Sequence, residues 1–349
     1  MPIFFVKTLK ELERVAASAI REIIPSAKCI PRPHGYKGIV LVETEEDVLS
    51  ELKEIPEIEK VFKVLAVSPA DLKDIAESAA EIAKERIARD ESFAVRTTRR
   101  GRHSYTSLDV NVAAGAAVQK ATGAPVNLTY PDKIVLIEII DEKAYIGVID
   151  GKEELKKKYP GKPEVLSLLR KISIAQIPYT GPLSAAKNLG LRIGRAVQTF
   201  ELREYVVAPI KPVEVEELNA FLSGLLEGVN SRLEIQRKSY AREVRAVPLK
   251  LQDMYQFIRD RRGEPIIATS TRGKVITEVE DSLYEIVAKS KRVNVLVGAR
   301  EGIPTGILKQ ASLIIDVAPG ITLSTDTALP AIVSAIILTV LRKITSSKE

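Results

Sequence analysis

Five short apolar runs in the second half of the chain, Lys171–Ile177, Tyr205–Ala208, Pro265–Thr269, Val293–Val297 and Leu313–Val317, are separated by longer stretches with helical spacing. A chain that alternates strand and helix in this way returns to the same sheet by crossovers. The alternation therefore predicts a mostly parallel sheet with helices on both faces. Residues 150–164, rich in Lys, Gly and Pro, interrupt the pattern and mark a domain boundary. At 349 residues the chain exceeds one typical core, so two or three domains are expected.

The first half reads differently. Residues 1–66 give strand (FFVKT), helix (Leu9 to Ile24), strand (Gly38 to Glu43), helix (opened by Glu45 and Glu46) and strand (Val61 to Val67). In the first helix, Leu12, Val15, Ala16, Ala19, Ile20 and Ile23 share one side. Ser68 and Pro69 suit the N-cap and first turn of the next helix, which runs to about Arg89. A strand follows at Ser92 to Thr98, then the loop RRGRHSYTS and a helix from Leu108 to Ala121. Strands at Lys133 to Ile140 and Lys143 to Ile149 flank a turn at Asp141 and Glu142. The expected domains are 1–66, 67–150 and 165–349.

Several enzyme classes are excluded. There is no GxxxxGK[ST] loop for a nucleoside triphosphate, no HExxH and no Rossmann GxGxxG. The only histidines, His34 and His103, lie in the first half, so the second half cannot build a Ser-His-Asp triad. A lone Cys29 rules out an intrachain disulfide and a cysteine-based zinc site, and no metal is expected. The N-terminus becomes charged too early for a secretory signal. The apolar run Thr327–Leu341, at 15 residues with Pro330 inside, falls short of the ~20 that a membrane span needs. A soluble, cytoplasmic protein without a membrane partner is expected.

What remains is chemistry on loops. In parallel α/β sheets ligands sit beyond the C-terminal ends of strands. Three loops there combine Gly or Pro with small hydroxyl residues, exposing backbone donors and acceptors to a neutral ligand. ATSTRGK (268–274) offers Thr269, Thr271 and Gly273. VGAREGIPTG (297–306) offers Gly298, Glu301 and Gly302. VAPGITLSTDTALP (317–330) offers Pro319, Gly320, Thr322, Leu323, Ser324 and Ala328.

A net charge of +6 is compatible with a polyanionic partner. Arg96, Arg99, Arg100 and Arg102 fall within seven residues at the end of a strand. Guanidinium groups there suit phosphates, and Gly101 lets the turn approach a backbone. The stretch from Ser68 to Ile149, with FAVRTTRRG, SLDVNVAAGAAVQK and PVNLTYPDKIVLIEIIDEKAYIGV, resembles a THUMP domain. That resemblance implies RNA binding, mainly of tRNA, by Arg96, Arg99, Arg100 and Arg102, with Lys120 as a further candidate. It also implies a ferredoxin-like domain in residues 1–66.

Taken in order, the three C-terminal loops are similar to those of the SPOUT methyltransferases, whose chain end is tied in a trefoil knot. A strand ends in a GxEG-like turn (Gly298 to Gly302), and a second strand leads through a Pro-containing loop to a long apolar helix. Upstream, KNLGLRIGRAVQTFEL resembles the N-x-G…R-t-A…F-G motif of the ribose-methylating branch, placing Asn188, Gly190 and Arg195 on its positions. The resemblance covers about residues 165–345. It implies S-adenosylmethionine as cofactor, with Arg195 and Asn188 as catalytic residues, and a homodimer through the C-terminal domain. The chain departs from that branch at two points. Leu323 to Asp326 replaces Ser-Leu-Asn, and Glu201 replaces the final Gly, which leaves the target atom open. The expected function is methylation of tRNA, the alternative being a non-catalytic RNA-binding adaptor in tRNA modification or ribosome assembly.

Overall fold

The computed structural model describes residues 1–346. The chain divides into two compact units, Met1–Lys162 and the remainder from Pro163. Residues 157–164, between the two, are all exposed.

The first unit contains β1 (Ile3–Thr8), α1 (Glu13–Ile23), β2 (Lys28–Pro31), β3 (Ile39–Glu43), α2 (Leu49–Lys53), β4 (Ile58–Val64), β5 (Ala66–Pro69), α3 (Leu72–Arg86), β6 (Phe93–Arg100), α4 (Ser107–Thr122), β7 (Lys133–Ile140) and β8 (Lys143–Asp150). These form two four-stranded sheets, β2-β3-β1-β4 and β5-β8-β7-β6. The first is antiparallel throughout, and in the second only β6 and β7 run parallel. Because successive side chains point to opposite faces, Phe4 and Val6 of β1 meet Ile20 and Leu52 of α1 and α2, while Phe5 turns the other way. There Phe5 stacks on Phe62 with centroids 5.4 Å apart, in a core shared with Ile134, Leu136 and Ile149 of the second sheet. Each such buried aromatic contributes roughly 1.5–3 kcal/mol. The sheets meet closely at Gly147, where a Cβ would stand 2.5 Å from the Phe62 ring. On the outer face of the second sheet, Ile75 and Ala79 of α3 and Val110 and Ala114 of α4 close a third core.

Several sequence expectations shift here. The first helix starts only at Glu13, and its buried face is Glu13, Ala16, Ala17 and Ile20, whereas Val15 and Ile23 are exposed. Glu13 is buried because its carboxylate accepts from Gly38 N–H and from Arg32 Nε at 2.8 Å. The second helix begins at Leu49, not at Glu45. A strand at Lys28–Pro31 was not anticipated. Ser68 and Pro69 do not cap a helix. They lie in the edge strand β5, where proline is tolerated, and Asp71 caps α3 by accepting from Lys73 N–H at 2.9 Å.

The second unit contains α5 (Leu166–Leu169), β9 (Ile172–Gln176), α6 (Leu183–Phe200), β10 (Glu204–Val207), α7 (Val215–Ser239), β11 (Leu249–Leu251), α8 (Met254–Asp260), β12 (Ile266–Val275), α9 (Glu280–Lys289), β13 (Val293–Val297), α10 (Thr305–Leu308), β14 (Leu313–Asp316) and α11 (Thr325–Ser346). Its six strands are all parallel, in the order β11-β10-β9-β13-β12-β14. Strand alternation sends Ile172 and Ile174 into a core with Ile193, Phe221, Leu283 and Ile336. Ala175 and Ile177 face a second core with Met254, Phe257 and Ile307. Helices therefore cover both faces. The 22 residues of α11 exceed the uncharged run read from the sequence, and by length and composition this helix could cross a membrane. Here Leu329, Ile332, Val333, Ile336 and Val340 are taken up by the core.

Candidate active site

The parallel strands β12, β13 and β14 end side by side, and the loops beyond them enclose a cleft of about 130 Å³. The β12 side contributes Thr269, Ser270 and Thr271, and the β13 side Val297, Gly298 and Ala299. β14 ends in the cleft at Asp316, beyond it come Val317 and Ala318, then Thr322 and Leu323, with Ala328 of α11 closing the wall. Thr269 Oγ1 donates to Leu296 O at 2.9 Å, fastening β12 to β13 at the rim. Buried Gln176, at the end of β9, donates through Nε2 to Thr325 O at 2.8 Å and accepts from the Tyr205 hydroxyl at 3.0 Å. The start of α11 is thereby held against the sheet.

Six of the residues singled out from the sequence meet in this cleft: Thr269, Thr271, Gly298, Thr322, Leu323 and Ala328. Six others do not line it. Gly273 lies on the backbone of β14, where a Cβ would come within 2.8 Å of Ile314 and Ile315. Glu301 is exposed and pairs with Lys211 at 2.6 Å. Gly302, at φ +72°, makes the turn that donates to Ala299 O at 2.7 Å. Pro319 and Gly320 are exposed on the loop. Ser324 accepts from Ala328 N–H and donates to Asp326 at 2.8 Å, capping α11.

The arginines of the first unit do not make one patch. Alternation along β6 turns Arg96 and Arg100 to one face and Arg99 to the other. Arg100 donates to Glu138 at 2.7 Å, and this buried carboxylate also pairs with Lys7. Arg96 donates to Leu128 O at 2.6 Å and approaches Glu154. Arg99 donates to His103 Nδ1 at 3.1 Å, and His103 Nε2 reaches Asp141 O. Arg102 is exposed with no bond or ion pair among the described residues, and Lys120 is exposed on α4.

A family model described as AF2226-like SPOUT RNA methylase fused to THUMP matches residues 166–349, and a THUMP domain model matches residues 69–149. The chain belongs to the SPOUT RNA methylases fused to THUMP. It is 38% identical over 335 residues to an uncharacterised protein of Methanocaldococcus jannaschii, covering 95% of this chain and 92% of that one. A tRNA sulfurtransferase of Desulfurococcus amylolyticus is 39% identical over 109 residues, 31% of this chain and 22% of that protein. The crystal structure of TrmN from Thermus thermophilus is 16% identical with a TM-score of 0.36, covering 89% of this chain and 92% of that one.

Within the SPOUT methyltransferase domain, the motif on α6 has a packing explanation. A Cβ on Gly190 would stand 2.2 Å from Phe221 O, and one on Gly224 would stand 2.0 Å from Lys187 O. Glycines spaced by four on α6 and α7 thus let two helix backbones touch. Arg195 is exposed and donates through Nε to Ser231 Oγ at 3.2 Å on α7, and Asn188 is exposed too; neither lines the cleft. Arg192, one turn earlier, pairs with Asp326 at 3.1 Å, between the cleft residues Leu323 and Ala328. Glu201 ends α6 in the left-handed region (φ +49°), where glycine is usual. Its buried carboxylate sits between Arg170 and Arg242, so that departure has a place in helix termination.

Among the charged residues at the site, reading by loop composition passed over two. Asp316 brings a carboxylate into the cleft at the C-terminal end of β14, and its Oδ1 accepts from Ala318 N–H at 3.0 Å. It stood inside a recognised strand, and its position at the strand end was the available signal. Arg192 carried no signal beyond its place beside the motif.

Proposed function

We propose that the chain methylates tRNA, taking the methyl group from S-adenosylmethionine bound in the cleft beyond β12, β13 and β14. The convergence of three loops from different strands into one cleft carries this reading. Its walls fit the group. Ile315, Val317, Leu323 and Ile332 offer apolar surface for a purine, the small residues Gly298 and Ala318 leave backbone groups accessible, and Asp316 supplies a carboxylate toward a cationic ligand. S-adenosylmethionine would supply an electrophilic methyl on a sulfonium. The protein's part is to hold the acceptor in line with that carbon at near-contact distance.

At about 130 Å³ the cleft is smaller than the roughly 300–1,000 Å³ usual for small-molecule sites. Ligand entry therefore moves the loop 317–324 outward, where Pro319 to Thr322 are exposed. In this reading Arg192 holds the start of α11 through Asp326. Arg195 and Asn188 face the RNA rather than the methyl donor, and as a permanent cation Arg195 helps by electrostatics. The exposed Arg102 and Lys120 of the THUMP domain contact phosphates. The same reading takes residues 1–66 as ferredoxin-like, places the protein in the cytoplasm, threads the C-terminal chain as a knot and pairs two copies through the SPOUT domain.

Titration calorimetry with S-adenosylmethionine tests the donor site. A saturable heat is expected, and Ala318→Trp, which fills the cleft, should abolish it without lowering the melting temperature. A second reading, an RNA-binding adaptor, is favoured by the use of Ser324 and Asp326 as a helix cap rather than as cleft lining. It predicts no heat at all from the unaltered protein.

A further inference from the structure

A second cleft opens beside the first, within the same unit. It lies over the C-terminal ends of β10, β9 and β13, has a volume of about 210 Å³, and shares Ala299 with the cleft over β12, β13 and β14. The sheet order explains its position. From β9 the next strands, β10 and β11, lie to one side, whereas β13, β12 and β14 lie to the other. Such a switch point leaves a crevice at the C-terminal edge of a parallel sheet, where ligands bind.

Its chemistry differs from that of the first cleft. Pro178 and Ile210 make it apolar inside. Tyr179 forms one wall, with the Arg300 guanidinium 5.5 Å from its ring centroid. Among the described residues the only hydrogen bond from that guanidinium is a long one, to Thr180 O at 3.5 Å. At the rim Lys211 and Glu301 pair at 2.6 Å, each more than half exposed. An apolar pocket with an aromatic wall, a stacked guanidinium and charges at the mouth suits a flat, polar-edged ring carrying phosphates.

We propose that this second cleft receives the unstacked base of the RNA nucleotide to be methylated. The base lies against the Tyr179–Arg300 wall, Lys211 and Arg300 meet the flanking phosphates, and Glu301 accepts from an N–H on the base edge. This rests on reading the chain as a methyltransferase acting on RNA. Methyl transfer brings donor and acceptor into contact, so the acceptor belongs immediately beside the donor. The two clefts share Ala299 as a lining residue, and its side chain is one methyl group. Proteins read single-stranded RNA by stacking splayed bases on tyrosine rings and arginine planes. Glu301, grouped by sequence with the donor-binding residues, belongs to the acceptor side in this arrangement.

The test uses the full chain and the four ribonucleoside 5′-monophosphates as probes, followed by saturation-transfer NMR with and without saturating S-adenosylhomocysteine. At least one monophosphate should show saturation of its base protons that S-adenosylhomocysteine does not displace. Tyr179→Ala and Arg300→Glu should each weaken it roughly tenfold, the effect of one base–aromatic stack, and leave S-adenosylhomocysteine affinity unchanged. Should Tyr179→Ala fail to fold, Arg300→Glu decides alone, since that side chain is exposed. Displacement by S-adenosylhomocysteine, absence of saturation from all four probes, or saturation indifferent to the folded variants would overturn the proposal. Base binding without any S-adenosylhomocysteine binding would instead sink the donor reading and leave the acceptor cleft standing.

Discussion

The arginines at the end of β6 and in the loop beyond it do different work. Arg100 neutralises the buried Glu138 together with Lys7, whereas Arg102 has no partner among the described residues. Arg100→Ala should destabilise the first unit by on the order of 3 kcal/mol, because it leaves a buried carboxylate short of a cation; denaturant unfolding measures this. Arg102→Glu should leave stability unchanged. It should weaken RNA binding and flatten its salt dependence in a filter assay. Carboxylates at turns and helix ends set the response to acid. Burial pushes the Glu13 carboxyl up, but Gly38 N–H and Arg32 outweigh it and hold the group at about 2, below its usual 4.5. The hydrogen bond from Arg242 lowers Glu201 in the second unit. A group whose folded pKa is depressed stabilises fully above its unfolded pKa and loses that contribution as pH falls through the folded value. Glu13's contribution should therefore be intact at pH 6 and decline from about pH 4.5 toward 2. Glu13→Gln should remove that part of the acid dependence in thermal melts.

Helices α6 and α7 meet through backbone rather than side chains. Gly224→Ala would place a methyl 2.0 Å from Lys187 O, forcing the pair apart at a cost of about 3 kcal/mol. A drop in melting temperature with donor affinity retained at low temperature is the expected outcome. The sequence announced these helices by spacing but gave their glycines a motif role, because a crossing point depends on two segments some thirty residues apart. All five apolar runs of the second unit became strands, since a strand buried on both faces declares itself by composition alone. Strand β11, with Lys250 between two leucines, did not. In the first unit, Ser68 and Pro69 fitted a helix cap locally, and only pairing with β8 made them an edge strand. Half of the residues chosen by loop composition line the cleft, because Gly and Thr mark backbone exposure. It could not tell cleft-lining glycines from Gly273, which lies against β14, or from Gly302, which serves its own turn.

Across the whole molecule, each unit closes its own cores, and the residues between them, 157–164, are all exposed. Brief trypsin treatment should cut after Lys157 or Lys158 before anywhere else, and mass spectrometry of the two fragments checks it. Donor binding should survive in the fragment containing Pro163 onward, measured by the same calorimetry. The exposed bridge also has a historical consequence. A crossover between genes at that point removes no interior residue from either half. A lineage can therefore trade one half for another as a cassette and acquire a new catalyst, or a new grip, in a single recombination.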